Sequence, residues 1–294
     1  MGQSLLELTE KLMQEIGIPS QPRLLIELNK ELSKEEPNFS IISDLVSRDV
    51  GMSAKIIKVC NSPFFGLRQR VDSINRALSI LGLKNFKNVV LASALADNIN
   101  SSSIGSKDFE YFCNHSLFIA RIAQAIANRL PFEIKRQVDP DHAYMAGLFH
   151  DSAIPLLIKK HKDYFVKIAD ALKSNVSMVS VEEEAYHTNH CLAAYFVAKS
   201  WGLPENVCIA IMNHHQTDLV AVEDLGARRL LAVLILAESI IYYKDNNMTY
   251  IFDIFNYNIG EGNYGKIQFE LDLTNDDISD MEDSVAEILD GVQP

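Results

Sequence analysis

The stretch Ala143-Tyr-Met-Ala-Gly-Leu-Phe-His-Asp151 decides how this sequence is interpreted. Its small and apolar residues predict a buried helix that ends at the pair His150-Asp151, and more apolar residues follow. An ionised Asp in such surroundings needs compensation, because burying an unpaired carboxylate is costly. A bound cation would supply it. The alternative is that Asp151 caps the next helix by accepting hydrogen bonds from backbone N–H groups.

A second carboxylate, Glu238, interrupts a predicted helix that is apolar on every side. It shares a face with Leu231 and Leu234, so its side chain is expected to point inward. A buried Glu is protonated, paired with a base or bound to a metal. Arg228 and Arg229 lie more than two turns away on the same helix, so neither is an obvious partner.

Four histidines add candidate ligands to these carboxylates. His115 lies on an apolar helical face, His190 begins a predicted helix, and His214-His215 follows a short one. A histidine on such a face is by default a packed core residue, so the prediction depends on the whole set. Mixed nitrogen and oxygen donors suit Fe, Mn, Zn, Ni or Mg, and this set predicts that no thiolate takes part.

The charge of the chain excludes two broad classes of protein. The 39 acidic and 27 basic residues give a net charge of −12, but residues 251–294 alone hold eleven acidic residues and one lysine. The rest of the chain is therefore close to neutral. The 48% of apolar residues excludes a disordered acidic chain, and the lack of surplus Lys and Arg argues against a basic nucleic-acid binder.

Cysteine spacing and hydropathy suggest the compartment. The four cysteines contain no CxxC pair and lie in apolar helical stretches, which predicts buried free thiols. The N-terminus does not resemble a secretory signal, and the longest apolar run, residues 230–237, is far shorter than the roughly 20 residues that span a bilayer. We therefore expect a soluble, cytoplasmic protein without a membrane segment.

Apolar spacing is helical along nearly the whole chain, which predicts an all-α fold. Residues 100–106 form the clearest linker, between a helical region over residues 1–100 and a second over residues 107–245. Residues 246–294 form an acidic extension. In it, residues 266–271 alternate like a short strand, and the spacing of Ile278, Met281, Val285 and Ile288 predicts a final helix that docks.

The order of His115, His150-Asp151 and Glu238 resembles the HD-domain superfamily of metal-dependent phosphohydrolases. The wider pattern resembles the HDOD domain, an HD-related output domain of bacterial signalling proteins, over about residues 15–245. The segments that carry this likeness are Asn61-Ser-Pro-Phe-Phe-Gly66, Ala146-Gly-Leu-Phe-His-Asp151, Glu184 with His190, and Trp201-Gly-Leu-Pro204 with His214-His215.

The resemblance implies an HDOD domain over residues 1–245, with a helical subdomain (1–100) packed on an HD-like helical core (107–245). It implies a divalent metal, a role as a signal-transduction output, and a signalling protein on another chain as partner. Neither a membrane nor a nucleic acid is expected. The implied metal ligands are His115, His150, Asp151 and Glu238, with His190, His214 and His215 as ligands of a second site.

Three departures from the family pattern favour a non-catalytic module. Ser152-Ala-Ile-Pro155 replaces the Ile-Gly-Lys that commonly follows the HD pair, and Glu238 replaces an Asp. Gln-Thr-Asp-Leu replaces the Gly-Tyr-Pro signature after His214-His215. The alternative is a metal-dependent phosphohydrolase or phosphodiesterase that acts on a phosphate-containing ligand. Arginines near Phe64 and Phe65 form either a partner-binding patch or ordinary caps beside core aromatics.

Overall fold

The computed structural model describes residues 15–61, 70–100, 104–174, 176–216, 218–244 and 261–290. Within these ranges the chain is multi-helical and contains no β-strand, which confirms the all-α prediction. The chain divides into two compact units. The larger unit comprises residues 1–20 and 99–281, and the smaller unit comprises residues 21–98 and 282–294.

Side-chain caps determine where two helices of the smaller unit begin. The Asn38 side chain accepts hydrogen bonds from two backbone N–H groups of the first turn of α2 (Phe39–Ser47), at 2.9 and 3.2 Å. Asp49 accepts one from Met52 N at 2.9 Å in the same way. The helices are α1 (Arg23–Leu32), α2 (Phe39–Ser47), α3 (Val50–Cys60) and α4 (Ile74–Ile99).

Two features of the smaller unit follow from single residues. Gly82 has φ 71° and ψ 169°, which divides α4 into two helical segments at this glycine. The Asn61 side chain pairs with both backbone groups of Val71, at 2.6 and 2.8 Å, and so closes the segment between them. Phe64, Phe65 and the neighbouring Arg68 lie outside the described residues.

Helix α7 (Pro140–Phe149) is the central element of the larger unit. It packs against α5 (Ser106–Arg129), α11 (His190–Ser200), α12 (Glu205–Met212) and α13 (Leu225–Lys244), and every residue from Ala143 to Phe149 is buried. A Cβ added at Gly147 would lie 2.6 Å from Ala120 Cα, so α5 can approach α7 this closely only because residue 147 is glycine. The small residues of the stretch that ends at His150-Asp151 therefore permit close packing on several sides.

The larger unit contains eleven helices besides the segment at residues 15–16 in the described part of the chain, and a 3₁₀ turn at Leu219–Ala221. They are α5 (Ser106–Arg129), α6 (Phe132–Lys135), α7 (Pro140–Phe149), α8 (Ile154–Lys160), α9 (Tyr164–Lys173), α10 (Met178–Tyr186), α11 (His190–Ser200), α12 (Glu205–Met212), α13 (Leu225–Lys244), α14 (Glu261–Leu271) and the first part of α15 (Asn275–Asp290).

The predicted strand at residues 266–271 is wrong, because this segment is the end of α14. Ile267 and Leu271 are buried at helical spacing, whereas Phe269 is 88% exposed. The hydrophobic alternation that suggested a strand included Phe269, which takes no part in the core. Helix α14 packs on α13, and its Glu270 pairs with Arg228 at 3.0 Å.

The beginning of α15 is anchored as the sequence predicts. Thr274 and Asp277 cap it reciprocally: Thr274 N donates to the Asp277 carboxylate at 2.8 Å, and Asp277 N donates to Thr274 Oγ1 at 3.2 Å. Ile278 and Met281 are buried. Among the described residues, no helix is both long and apolar enough to cross a membrane.

Candidate metal centre

The seven side chains predicted as ligands come together in one cluster within the larger unit, which we call the ligand cluster. They belong to separate helices or helix ends, and six of the seven are buried. The members are His115 on α5, His150 and Asp151 at the C-terminal end of α7, His190 at the start of α11, His214 and the partly buried His215 after α12, and Glu238 on α13.

In three of the imidazoles Nδ1 is engaged by an acceptor. His150 and His214 each donate Nδ1–H to the backbone carbonyl three residues earlier, at 2.8 and 2.7 Å. His190 donates Nδ1–H to Glu182 Oε2 at 2.6 Å. Because Nδ1 is engaged, Nε2 of each ring is the atom available to a metal, as in many histidine–metal sites.

One part of the cluster, which we call the HD half, comprises His115, His150, Asp151 and Glu238. His150 Nε2 lies 3.0 Å from Asp151 Oδ2 and 3.3 Å from Glu238 Oε1. The potential ligand atoms of His115, His150 and Asp151 all lie within 4.8 Å of one another. The structure therefore brings these three ligand atoms close together, with Glu238 beside His150.

The other part, which we call the cysteine half, comprises His190, Cys191 and His214 beside Asp151 Oδ1. The two Nε2 atoms are 3.3 Å apart, and Asp151 Oδ1 lies 3.3 Å from that of His214 and 3.7 Å from that of His190. Cys191 Sγ lies 3.4 and 4.0 Å from the Nε2 atoms of His190 and His214. Asp151 thus contacts both halves, through a different oxygen in each.

Burial and neighbouring charges set the ionisation of the cluster. Burial lowers the pKa of His115 to about 4, so this ring is neutral, and burial raises the pKa of Glu238. Burial also disfavours the charged form of Asp151, yet His150 and His214 hold its pKa well below the usual range. The cluster is therefore centred on an ionised carboxylate.

The donors fit a divalent cation. Among the described residues, His150 Nε2 and Glu238 Oε2 are buried without a hydrogen-bond partner. His150 Nε2 is close to Asp151 Oδ2, but this contact lacks hydrogen-bond geometry. Leaving such an atom unsatisfied costs about 1–3 kcal/mol. A cation between these side chains would satisfy both atoms, and imidazole nitrogen with carboxylate oxygen suits Fe, Mn, Zn or Ni.

The partner of His190 is a residue that the sequence analysis missed. Glu182 is fully buried on α10, accepts from His190 N at 3.0 Å as well as from Nδ1, and accepts from Tyr164 OH at 2.5 Å. Glu184, one of the positions that carry the family resemblance, is exposed. The helical spacing of Met178 and Glu182 was the available signal, because both are buried on one face.

The prediction that no cysteine lies among the candidate ligands is wrong, because Cys191 lies within the cluster. Burial raises the pKa of Cys60 and of Cys208 to about 11, as for ordinary packed thiols. Burial acts on Cys191 in the same direction, but His190 and His214 lower the pKa of its thiol to about 7. The sequence contained one signal that Cys191 lies in the cluster: it directly follows His190 in the first turn of α11.

The remaining three histidines lie away from these donors. His142 Nδ1 lies 3.2 Å from Asn206 Nδ2, His161 stacks on Tyr186 with ring centroids 4.0 Å apart, and His187 is exposed. The sequence analysis assigned no ligand role to any of them.

The chain is an all-α protein with a buried cluster of histidines and carboxylates, and comparison with known proteins gives its family. A family model described as the HDOD domain matches residues 18–217, so the chain belongs to the HDOD family, as predicted. An uncharacterised protein of Treponema pallidum is 21% identical over 235 residues, which cover 79% of this chain and 44% of that protein. The uncharacterised protein YuxH of Bacillus subtilis is 30% identical over 103 residues, 35% of this chain and 24% of YuxH. The chain thus spans less than half the length of these relatives.

Solved structures share the fold over nearly the whole chain. An HDOD domain protein of unknown function from Geobacter sulfurreducens has a TM-score of 0.70 at 23% identity, covering 98% of this chain and 96% of that one. A candidate phosphohydrolase from Shewanella amazonensis gives 0.71 at 18%, covering 95% and 94%. A candidate signal transduction protein from Marinobacter aquaeolei gives 0.76 at 18%, covering 96% and 59%. At these identities the likeness establishes the fold alone.

Proposed function

We propose that this chain is a metal-binding signalling output module of the HDOD type, in which a divalent ion holds the helices of the larger unit together. The observation that carries the proposal is the ligand cluster, in which donors from five helices and helix ends face one another in a buried core. When bound, the ion would neutralise the carboxylates and cross-link these helices. Its occupancy would then set the stability of the unit.

The HD half supplies the first set of proposed ligands, His115, His150, Asp151 and Glu238. Its neutral His115 and ionised Asp151 are in the protonation states that coordination requires. A second set comprises His190, His214 and His215, whose rings pack with centroids 4.4 to 5.1 Å apart. Fe, Mn, Zn and Ni all suit these donors.

The burial of the donors favours a structural role over catalysis. His150 is 1% exposed and Asp151 3% exposed, while His190 and His214 are fully buried. A hydrolase needs an open metal position that a phosphate and a water can reach. Within the described residues, the ion pairs of Asp151, Glu182 and Glu238 are with histidines rather than with Lys or Arg.

A metal-dependent phosphohydrolase is the second candidate. The donor set of the HD half and the fold shared with a candidate phosphohydrolase favour it. A bound ion would supply Lewis-acid chemistry, and the residues of this chain would hold the ion and orient the phosphate. The departures at Ser152-Ala-Ile-Pro155 and Glu238 weigh against this candidate.

A signalling role requires a protein partner. The fold shared with a candidate signal transduction protein supports such a role. Residues 1–250 are nearly neutral, so a nucleic acid is not the partner that their charge favours.

Metal analysis combined with thermal unfolding tests the proposal. We expect purified wild-type protein to contain a transition metal, and an ion at 1,000 times its Kd to add about 4 kcal/mol, or roughly 8–16 °C in Tm. The variant Asp151→Asn, which alters the carboxylate that contacts both halves, should lose both the metal and the shift in Tm, and His150→Ala should lose the metal of the HD half. His142→Ala is the matched control, because His142 lies on the same helix, outside the cluster, and should retain both.

A phosphodiester turnover assay separates the two candidates. Turnover of a chromogenic phosphodiester that disappears in Asp151→Asn and persists in His142→Ala would establish the hydrolase and remove the structural role. Wild-type protein that takes up no metal, and whose Tm a chelator does not change, would contradict both.

A further inference from the structure

We propose that Cys191 is a thiolate ligand and that the cysteine half is a zinc-type site, with His190 Nε2, His214 Nε2, Cys191 Sγ and Asp151 Oδ1 as its four donors. This inference rests on the proposed function, because it assigns a metal to part of the same ligand cluster. A thiolate ligand narrows the range of metals that the cysteine half accepts, because a set with only nitrogen and oxygen donors accepts a wider range.

The three distances among the two Nε2 atoms and Cys191 Sγ are close to those between tetrahedral ligands of one ion. With Zn–N near 2.0–2.1 Å and Zn–S near 2.3 Å, tetrahedral angles place two nitrogens about 3.3 Å apart and a nitrogen and a sulfur about 3.6 Å apart. The two Nε2 atoms of His190 and His214 are 3.3 Å apart. Cys191 Sγ lies 3.4 and 4.0 Å from them, on either side of the expected value.

Asp151 Oδ1 completes the set. It lies 3.3 Å from His214 Nε2 and 3.7 Å from His190 Nε2, close to the separation of about 3.4 Å that two ligands at zinc distances adopt. Its other oxygen, Oδ2, lies 3.0 Å from His150 Nε2 in the HD half. The carboxylate can therefore serve the cysteine half without leaving the HD half.

The surrounding residues hold both imidazoles in the orientation that a metal needs. Glu182 takes the Nδ1 proton of His190 and the carbonyl of Ile211 takes that of His214, so each ring presents Nε2 to the other. Two Nε2 lone pairs 3.3 Å apart repel each other unless a proton or a cation lies between them. Tyr164 donates to Glu182 in turn, which fixes the carboxylate.

The burial of Cys191 argues against a thiol that reacts with molecules from solvent. Cys191 is 4% exposed, so solvent-borne reactants have little access to it, and its sulfur faces two imidazoles rather than apolar groups alone. Cys208 is also buried, but its sulfur donates to the Leu203 carbonyl. The two cysteines are therefore a matched pair, one at the cluster and one outside it.

The donor types indicate which ion each half prefers. A thiolate with two imidazoles selects zinc or a similar borderline ion and disfavours Mg²⁺, which requires oxygen ligands. The HD half has two imidazoles and two carboxylates and is the harder site. The first equivalent of zinc should therefore occupy the cysteine half.

X-ray absorption at the zinc edge tests this assignment on the full chain, stripped with a chelator and given one equivalent of Zn²⁺. We expect a zinc–sulfur shell at about 2.3 Å in the wild type and in Cys208→Ser, and its loss in Cys191→Ser. The zinc Kd of Cys191→Ser should rise at least about 10–100-fold, the range seen when even a supporting partner is removed. Circular dichroism of each variant checks that it folds.

Each result has one meaning. Zinc bound without a sulfur shell overturns the assignment of Cys191 while the metal-binding module stands. No zinc bound at all overturns both. If Cys191→Ser does not fold, the wild-type spectrum decides alone, because the sulfur shell is present or absent there, and Co²⁺ provides a second reading through its near-ultraviolet thiolate-to-metal absorption.

Discussion

Replacing Gly147 with Ala should separate helices α5 and α7 and weaken both the core and the metal site. The added Cβ would lie 2.6 Å from Ala120 Cα, 2.7 Å from Ala120 N and 2.8 Å from Ile119 C. Carbon atoms pack best at about 3.5–4.0 Å, so the two helices must move apart by about 1 Å. All three atoms belong to the backbone of a helix, and therefore no side chain can rotate out of the way.

The expected loss is at the upper end for overpacking, about 3 kcal/mol, which corresponds to roughly 6–12 °C in Tm for a chain of this size. Helix α7 ends at His150-Asp151, Asp151 contacts both halves of the cluster, and metal–ligand distances tolerate only about 0.2 Å, so the zinc affinity should fall as well. Thermal unfolding of the metal-free chain measures the first effect, and calorimetric titration with Zn²⁺ measures the second.

Gly265→Ala is the control for this experiment. Gly265 lies inside α14 with nothing within 4 Å of an added Cβ, so Ala should stabilise the helix by about 0.5–1 kcal/mol. If Gly147→Ala unfolds within about 2 °C of the wild type, as a tolerated helical substitution would, and binds zinc with unchanged affinity, the close approach of α5 and α7 is not what positions the site.

Three further substitutions have definite expected outcomes. Glu182→Gln should raise the zinc Kd about 10–100-fold, because the amide orients His190 less firmly, whereas Glu184→Gln, on the exposed face, should leave the Kd unchanged; equal effects in titration would refute the assigned partner. Trp201→Phe should cost about 1–3 kcal/mol in the free energy of unfolding, since it removes the 3.0 Å hydrogen bond from Nε1 to the Pro19 carbonyl; urea unfolding followed by circular dichroism measures this, and no change would show that the bond contributes nothing. His187→Gly should raise Tm by a few degrees, because the C-cap of α10 has φ 57°, and glycine relieves about 1 kcal/mol of strain in that conformation; a lower Tm would mean that the imidazole makes a stabilising contact.

Helix positions were largely predictable because the core is built from helical faces. The break at Gly82 could be read from the sequence, since a glycine between two apolar segments permits a positive φ. The segment at residues 266–271 could not, because a six-residue apolar pattern fits either period when one member, Phe269, is exposed. Only packing on α13 decides that Ile267 and Leu271 are the buried pair.

The candidate ligands were predictable because each is a polar residue in an apolar segment. A carboxylate such as Glu238 inside a continuous apolar run predicts an unusual environment without any coordinates. The residues that orient the ligands gave a weaker signal. Glu182 is one of three consecutive glutamates, and only its four-residue spacing from Met178 indicates which of them faces inward.

The sequence by itself determined that the chain is helical, that it resembles the HDOD family and which histidines and carboxylates are candidate ligands. The tertiary structure alone decided that Cys191 joins them, that Glu182 rather than Glu184 holds His190, and that Asp151 contacts both halves of the cluster. The reason is physical. Burial of a polar side chain follows from the pattern of its own helix, but its distance from a residue on another helix depends on how closely the two helices pack, as at Gly147, where α5 approaches α7.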